Sequence, residues 1–339
     1  LKGDFFTVTS KKEKTCLPLS GNCYLVTDTE STLRKRMKED KYYIRSYSKN
    51  KPYSGYYVST KLWVGDYVNG ETFEELGQRA TGIERIAVMR ADVDNLGQAF
   101  VRGFENEKNG SKYVTLSRTA TFSRKLSMFF KYHINSILKE GGYSILEEES
   151  QMEKEDDRRN ALIVYSGGDD IFIVGAWDDI IGFAVDLHDN LMEYSQDTLK
   201  ISAGIGIYPS KYPISIMARE TGRLEEAAKS VEGKNAVALF DEKYTFPWEE
   251  FIENVVEEKL YFIQKYFKVV DEKGKNFLYN LLELVRKRKE DKINIARFAY
   301  LLGRMEPKVQ RGEKKEEIEE KRDLHREFSR KMYEWIRVE

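Results

Sequence analysis

Apolar positions follow one rhythm between Glu84 and Phe240 and a different one on either side. In that middle stretch, short continuous apolar runs alternate with segments of helical spacing. Ile86-Ala87-Val88-Met89, inside Arg85–Val93, reads as a buried strand. Thr115–Glu140 places Phe122, Leu126, Phe129, Phe130, Ile134, Ile137 and Leu138 at helical spacing, and Gly141-Gly142 supplies the stop. The runs Ala161–Tyr165 and Ile171–Val174 flank a glycine turn and read as a hairpin. Asp178–Asp197 is helical with Ile181, Val185, Leu187, Leu191 and Met192 inward. Ile201–Tyr208 is a strand, Ile214–Ser230 a helix and Ala236–Phe240 a last strand. The first six elements run β-α-β-β-α-β, an α+β, ferredoxin-like plan in which the first and third strands are neighbours at the centre of the sheet.

Residues 1–82 show weaker patterning. Strand-like pieces occur at Tyr24–Thr27, Tyr42–Tyr47, Gly55–Ser59 and Leu62–Val64, with helical spacing only at Ser31–Asp40 and Thr72–Arg79. A small α+β linker domain is expected there, followed by the main domain over 83–243. Pro247 then opens helical stretches at Trp248–Phe267, Lys273–Lys287, Asn294–Gly303 and Lys314–Val338. A stripe such as Ile252, Val256, Leu260, Ile263 and Phe267 suits a helical bundle over 244–339. Glu147–Arg159 is a charged run with no apolar face and is expected to be an exposed loop.

Composition narrows the classes. The 339 residues suffice for two or three domains. Lys and Arg total 56 against 57 Asp and Glu, so no global field draws the chain to nucleic acid, and any such contact is a local patch. Cys16 and Cys23 are the two cysteines and have no zinc-finger spacing. Sparse cysteine points to a reducing, cytoplasmic compartment. No apolar stretch approaches a membrane span, so no membrane partner is expected. The chain opens at Leu1 rather than Met, which suggests a fragment or a processed chain.

The chemistry concentrates at Ser166-Gly167-Gly168-Asp169-Asp170. Adjacent carboxylates about 4 Å apart repel by roughly 4 kcal/mol at an effective dielectric near 20. A turn that keeps both calls for a cation, and hard divalent ions prefer oxygen ligands. The alternative is a solvated Gly-Asp turn. Strand order brings the end of the first strand, with Asp92 and Asp94, towards the hairpin tip, which favours the metal reading.

Four blocks carry a family resemblance. The Gly-Gly-Asp-Asp hairpin resembles that of nucleotidyl-cyclase and polymerase palms. Arg90-Ala-Asp-Val-Asp-Asn-Leu-Gly-Gln-Ala-Phe100 resembles the first-strand signature of the GGDEF-type cyclases. Ile201–Ile207 resembles their Ser-x-Gly strand, and Leu224–Asn235 their Ala-Lys…Gly-Lys-Asn segment. The Asp-Asp-Ile-Phe ending, the Leu62-Trp-Val-Gly-Asp-Tyr67 block and the helical tail shift the resemblance to the large subunit of type III CRISPR effector complexes. The similarity is nearest the Csm-type (III-A) branch and implies its C-terminal portion. The HD nuclease domain, first palm and zinc module of that family are not visible. His188-Asp189 lies in a helix with no companion histidine cluster and reads as a helix-surface pair, so the family's DNase activity is not carried over.

The resemblance implies a nucleotidyltransferase that converts ATP to cyclic oligoadenylates. It also implies that the activity is switched on in a complex with other effector subunits, crRNA and target RNA. Asp92, Asp169 and Asp170 are the expected catalytic and metal-binding residues, with the Val93 backbone oxygen, for Mg2+ or Mn2+. Asn95 and Gly97 are expected near phosphate, or as a loop cap and a turn. Gly167 and Gly168 would let substrate pass close. Lys229 and Lys234 would neutralise phosphate or be solvated lysines, and Ser202 would touch the base or be structural. Two rival readings are a diguanylate-cyclase-like enzyme using GTP and a non-catalytic scaffold.

Overall fold

The computed structural model describes residues 4–50, 60–70, 72–105, 110–146, 158–270, 276–287, 291–307 and 315–338. They form two compact units, one from residues 4–144 and 158–248, the other from 145–146 and 249–338. The expected strand Gly55–Ser59 and most of the charged run Glu147–Arg159 lie outside the described residues.

The first unit opens with a five-stranded sheet. Its strands are β1 (Phe5–Thr9), β2 (Leu17–Pro18), β3 (Tyr24–Asp28), β4 (Tyr43–Lys49) and β5 (Thr60–Leu62), in the order β2-β3-β1-β4-β5. The helix Glu30–Glu39 follows β3 and is capped by Thr29, whose hydroxyl accepts from the Thr32 backbone N–H. Arg36 on that helix donates to Asp28 (2.9 Å), Glu13 and Asp40. Strand β1 escapes the hydrophobic reading because its inward residues include Thr7 and Thr9, both fully buried.

The Leu62–Tyr67 block links this sheet to the next layer. Asn135 Oδ1 accepts from the Asp66 and Tyr67 N–H groups at 3.0 Å each, and its Nδ2 donates to the Val64 carbonyl. Trp63 stacks edge-on against Tyr132.

The main sheet has six strands in the order β11-β10-β9-β6-β8-β7: β6 (Ile86–Val93), β7 (Ala161–Gly167), β8 (Asp170–Ala176), β9 (Ile201–Tyr208), β10 (Ala236–Leu239) and β11 (Thr245–Pro247). Ile86, Ala87, Val88 and Met89 have no exposed surface, as a strand covered on both faces requires. The crossover from β6 to β7 contains Leu116–Met128, a π-helical turn at Phe129–His133, and Ile134–Lys139. Trp177–Ser195 connects β8 to β9, and Ile214–Ser230 connects β9 to β10. Gly204 lets the second helix lie directly on β9, since a Cβ there would stand 2.3 Å from the Glu225 nitrogen.

Two surface expectations are corrected. Arg159, at the end of the charged run, is buried. Its guanidinium donates to the Tyr143 carbonyl (2.6 Å) and pairs with Asp186, which in turn accepts from Gly142 and Tyr143 N–H. His188 is mostly covered, stacked on Trp248 with ring centroids 5.0 Å apart. Apolar periodicity does not register either residue, because Arg159 and His188 are themselves polar.

The second unit is helical: Phe251–Leu260 in π geometry, then Tyr261–Val269, Asn276–Arg286, Ile293–Arg304 and Lys315–Val338. Tyr266, Phe277, Leu281, Phe298, Leu302 and Phe328 form its core. The Tyr266 hydroxyl donates to His325 Nδ1 at 2.7 Å, and His325 Nε2 donates to the Leu302 carbonyl. Burial pushes the Tyr266 phenol up to about 12. Among the described residues no helix is long and apolar enough to cross a membrane.

Candidate active site

Strand pairing assembles the site. β6 and β8 are antiparallel with Asp92 directly opposite Asp170, so two residues far apart in sequence become cross-strand neighbours. Asp170 pairs with Gly167 across a two-residue turn, Gly168-Asp169. Gly168 takes φ +71°, a conformation that favours glycine at the first position of a tight hairpin turn. The Val93 N–H donates to the Asp169 carbonyl at 3.2 Å and ties the tip of the hairpin to the end of β6.

Arg90, Asp92, Tyr165, Asp169, Asp170 and Glu225 line a cleft of about 510 Å3. Lys229, from the Ile214–Ser230 helix, donates to Asp92 Oδ2 at 2.5 Å and to Glu225 Oε1 at 2.7 Å. Arg90 holds the other Glu225 oxygen at 3.1 Å. Partial burial, then the charges of Asp92 and Asp170, hold the Asp169 carboxyl above its ordinary range. Burial alone would lower Lys229, but the hydrogen bonds and charges of Asp92 and Glu225 outweigh it and raise its pKa. Tyr165 is raised chiefly by the charge of Asp170.

The other expected residues divide between surface and interior. Asn95 has φ +54°, and its backbone carbonyl accepts from Gln98 and Ala99 at the start of the helix Leu96–Arg102, where the sequence predicts a loop. Gly97 is exposed, and a Cβ there would meet open space. A Cβ on Gly167 would make only ordinary contact, 3.5 Å from the Tyr165 hydroxyl. Lys234 does not line the carboxylate cleft. Asp94 is a correction, and Ser202 takes the structural one of its two alternatives. Asp94 is buried and does not face the hairpin. Its Oδ2 accepts from Ser202 Oγ at 2.8 Å and from the Asn235 N–H at 3.0 Å. Ser202 has no exposed surface and is a strut between β9 and the β6 loop, with no face left for a base.

Arg90, Tyr165 and Glu225 were missed. The signal for two of them is spacing: Arg90 is two residues before Asp92 and so on the same strand face, and Glu225 is four before Lys229 and so on the same helix face.

The donor set fits a hard divalent cation. Asp92, Asp169 and Asp170 present carboxylate oxygens to one cleft, and an ammonium already sits on Asp92 in the role of counter-ion. Among the described residues, no group of three or more His, Cys, Asp or Glu side chains is gathered closely enough to hold a metal as it stands.

Residues 85–238 match the family model of the second palm domain of Cas10/Cmr2, and residues 264–339 match that of the second helical domain of the CRISPR RNA silencing complex subunit Cmr2. The single-strand-specific deoxyribonuclease Cas10/Csm1 (subtype III-A) of Mycobacterium tuberculosis is 51% identical over 261 residues, covering 77% of this chain and 32% of that protein. Its counterpart in Streptococcus thermophilus is 41% identical over 296 residues, 86% of this chain and 35% of that protein. Among solved structures, a Csm1–Csm4 cassette in complex with cA4 superposes with a TM-score of 0.65 at 25% identity, over 95% of this chain and 47% of that one. A Csm1–Csm4 cassette in complex with AMPPNP gives 0.62 at 26% identity, over 94% and 46%. The chain thus spans about a third of the length of these curated relatives. With its carboxylate hairpin inside the matched palm and most of its helical unit inside the matched helical domain, the chain belongs to the Cas10/Csm1 family of type III-A CRISPR large subunits.

Proposed function

We propose that the first unit is a nucleotidyltransferase palm that joins ATP into cyclic oligoadenylates, working within a type III-A effector complex switched on by target RNA. The observation that carries this reading is the Asp92–Asp170 cross-strand pair with Asp169 at the turn and Lys229 against them. The related cassettes with AMPPNP and cA4 support a nucleotide substrate and an oligoadenylate product, and their Csm4 supports docking to other effector subunits. We read the β6–β9 core as ferredoxin-like. We divide the chain into a linker domain (1–82), a palm (83–243) and a helical domain (244–339) that docks neighbouring subunits and RNA.

In this reading Asp92, Asp169, Asp170 and the Val93 carbonyl hold Mg2+ or Mn2+. The ion, when bound, screens the triphosphate and lowers the pKa of the attacking 3′-hydroxyl. A 3′-hydroxyl gives up its proton to solvent as its oxygen forms a bond to the α-phosphorus of a second ATP, the bond from that phosphorus to the bridging oxygen breaks, and pyrophosphate leaves. Lys229, tethered by Glu225, supplies positive charge beside the phosphates. Gly168 forms the tight turn at the hairpin tip, and Asn95 and Gly97 stand on the segment that follows β6. Tyr165 rises from β7 beside Asp170. GTP use is not favoured.

The test is product analysis. The chain assembled with its effector subunits, crRNA and target RNA should convert ATP to cyclic oligoadenylate. Asp169→Ala/Asp170→Ala should assemble normally and make none. Normal synthesis by that variant contradicts the proposal.

A further inference from the structure

Lys229 has two carboxylate partners of unlike character. Glu225 is fixed. It lies on the same helix one turn earlier, its side chain is 10% exposed, and Arg90 holds its second oxygen. Arg90, its side chain 41% exposed, rests on the same helix: a Cβ on Gly222 would come within 2.9 Å of its Nη1, and its guanidinium also reaches the Ala218 carbonyl. Asp92 sits in the open cleft, its side chain 27% exposed. The lysine therefore spans a buried, braced acceptor and an accessible one.

Charge accounting points the same way. Asp92, Asp169, Asp170 and Glu225 against Arg90 and Lys229 leave two negative charges uncompensated, the charge of one divalent cation. An ammonium and a divalent ion cannot both occupy the same Asp92 oxygen. Losing one of its two ion pairs costs Lys229 little only because the other is braced.

We propose that Lys229 is a built-in counter-ion that a divalent cation displaces from Asp92, and that Glu225 is the positioning residue that retains the lysine at the site. Displacement leaves the ammonium tethered beside the cleft, ready for a phosphate, rather than released to solvent. Arg90 holds Glu225 in place for this exchange. The inference rests on the reading of Asp92 as a metal ligand.

Mn2+ titration of the nucleotide-free chain, followed by the loss of the free-ion EPR signal, tests it. Lys229→Met removes the competitor and should tighten Mn2+ binding about fivefold or more, the equivalent of one modest ion pair. Glu225→Gln should weaken Mn2+ binding in the native background, because the lysine then rests on Asp92 alone. In the Lys229→Met background the same change should have a clearly smaller effect, and this non-additivity is the signature of a shared lysine. Lys229→Gln serves as a second variant if Lys229→Met does not fold. Unchanged or weaker Mn2+ binding on removing Lys229, or equal effects of Glu225→Gln in both backgrounds, overturns the exchange. Asp169→Ala/Asp170→Ala separates the two levels. If that variant binds Mn2+ like the native chain, the metal reading itself fails. If it loses Mn2+ while the lysine variants behave additively, only the exchange fails.

Discussion

The two sheets of the first unit are held together by different means. In the six-stranded sheet the central strand β6 buries a continuous apolar run, and β8 beside it contributes Ile171, Ile173 and Val174, all buried. In the five-stranded sheet the covered positions on β1 and β4 are Thr7, Thr9, Ser46 and Ser48. Thr7 Oγ1 and Ser46 Oγ lie 3.2 Å apart across the strands. Apolar burial contributes about 25 cal/mol per Å2, whereas a hydrogen bond nets about 1 kcal/mol. The sheet with the larger reserve is also the one that carries three repelling carboxylates at one end. Clustered like charge is tolerable where the strands beneath it are over-determined.

The largest expected effect is on catalysis. Removing the charge pair with Asp169→Ala/Asp170→Ala should cut oligoadenylate synthesis by about 100-fold or more while leaving the chain folded, with a circular dichroism melt no lower than that of the native chain. A chain unfolded by that change would make the pair structural and erase the contrast between the sheets. Next comes Arg159→Met, which strands the Asp186 carboxylate against Gly142 and Tyr143 and should cost about 3–5 kcal/mol in a denaturant titration. Ile173→Ala, at a position with no exposed surface, should cost about 2–5 kcal/mol by the same measurement.

Smaller effects belong to the five-stranded sheet. Thr7→Val should cost about 1 kcal/mol, while Thr7→Val with Ser46→Ala, which removes both partners, should cost less than the two single changes together. A Thr7→Val loss as large as that of Ile173→Ala would show that the hydroxyl seam matters as much as the apolar one. The finest test concerns pH. The Asp169 carboxyl is harder to ionise in the folded chain than in the unfolded one, so rising pH through the carboxylate range costs the folded state. Asp169→Asn should therefore raise the melting temperature at pH 7, with the gain fading below the ordinary carboxylate range. A gain that persists unchanged in acid contradicts that origin.

The same contrast explains what was legible in the sequence. The Ile86–Met89 run, the glycine hairpin and the amphipathic helices announce themselves through apolar periodicity, and their order placed Asp92 beside Asp170 before any coordinates. Periodicity has no signal for β1, whose inward threonines look polar. It also misses Arg159, whose burial depends on Asp186 and a backbone carbonyl distant in sequence. Asp94 stands two residues after Asp92, on the same strand face by alternation, yet β6 ends at Val93 and the chain turns there. Its carboxylate is drawn to Ser202 and the Asn235 N–H instead. Glu225 was visible only as an i,i+4 partner of Lys229, a spacing common enough on solvated helices to carry little weight alone.

The most direct measurement is isothermal titration of ATP and of GTP, each with Mg2+, into this chain and into its Asp169→Ala/Asp170→Ala form. ATP binding in preference to GTP, lost in the variant, is the result expected of an oligoadenylate palm. GTP preference, or ATP binding that survives the loss of both carboxylates, would contradict it.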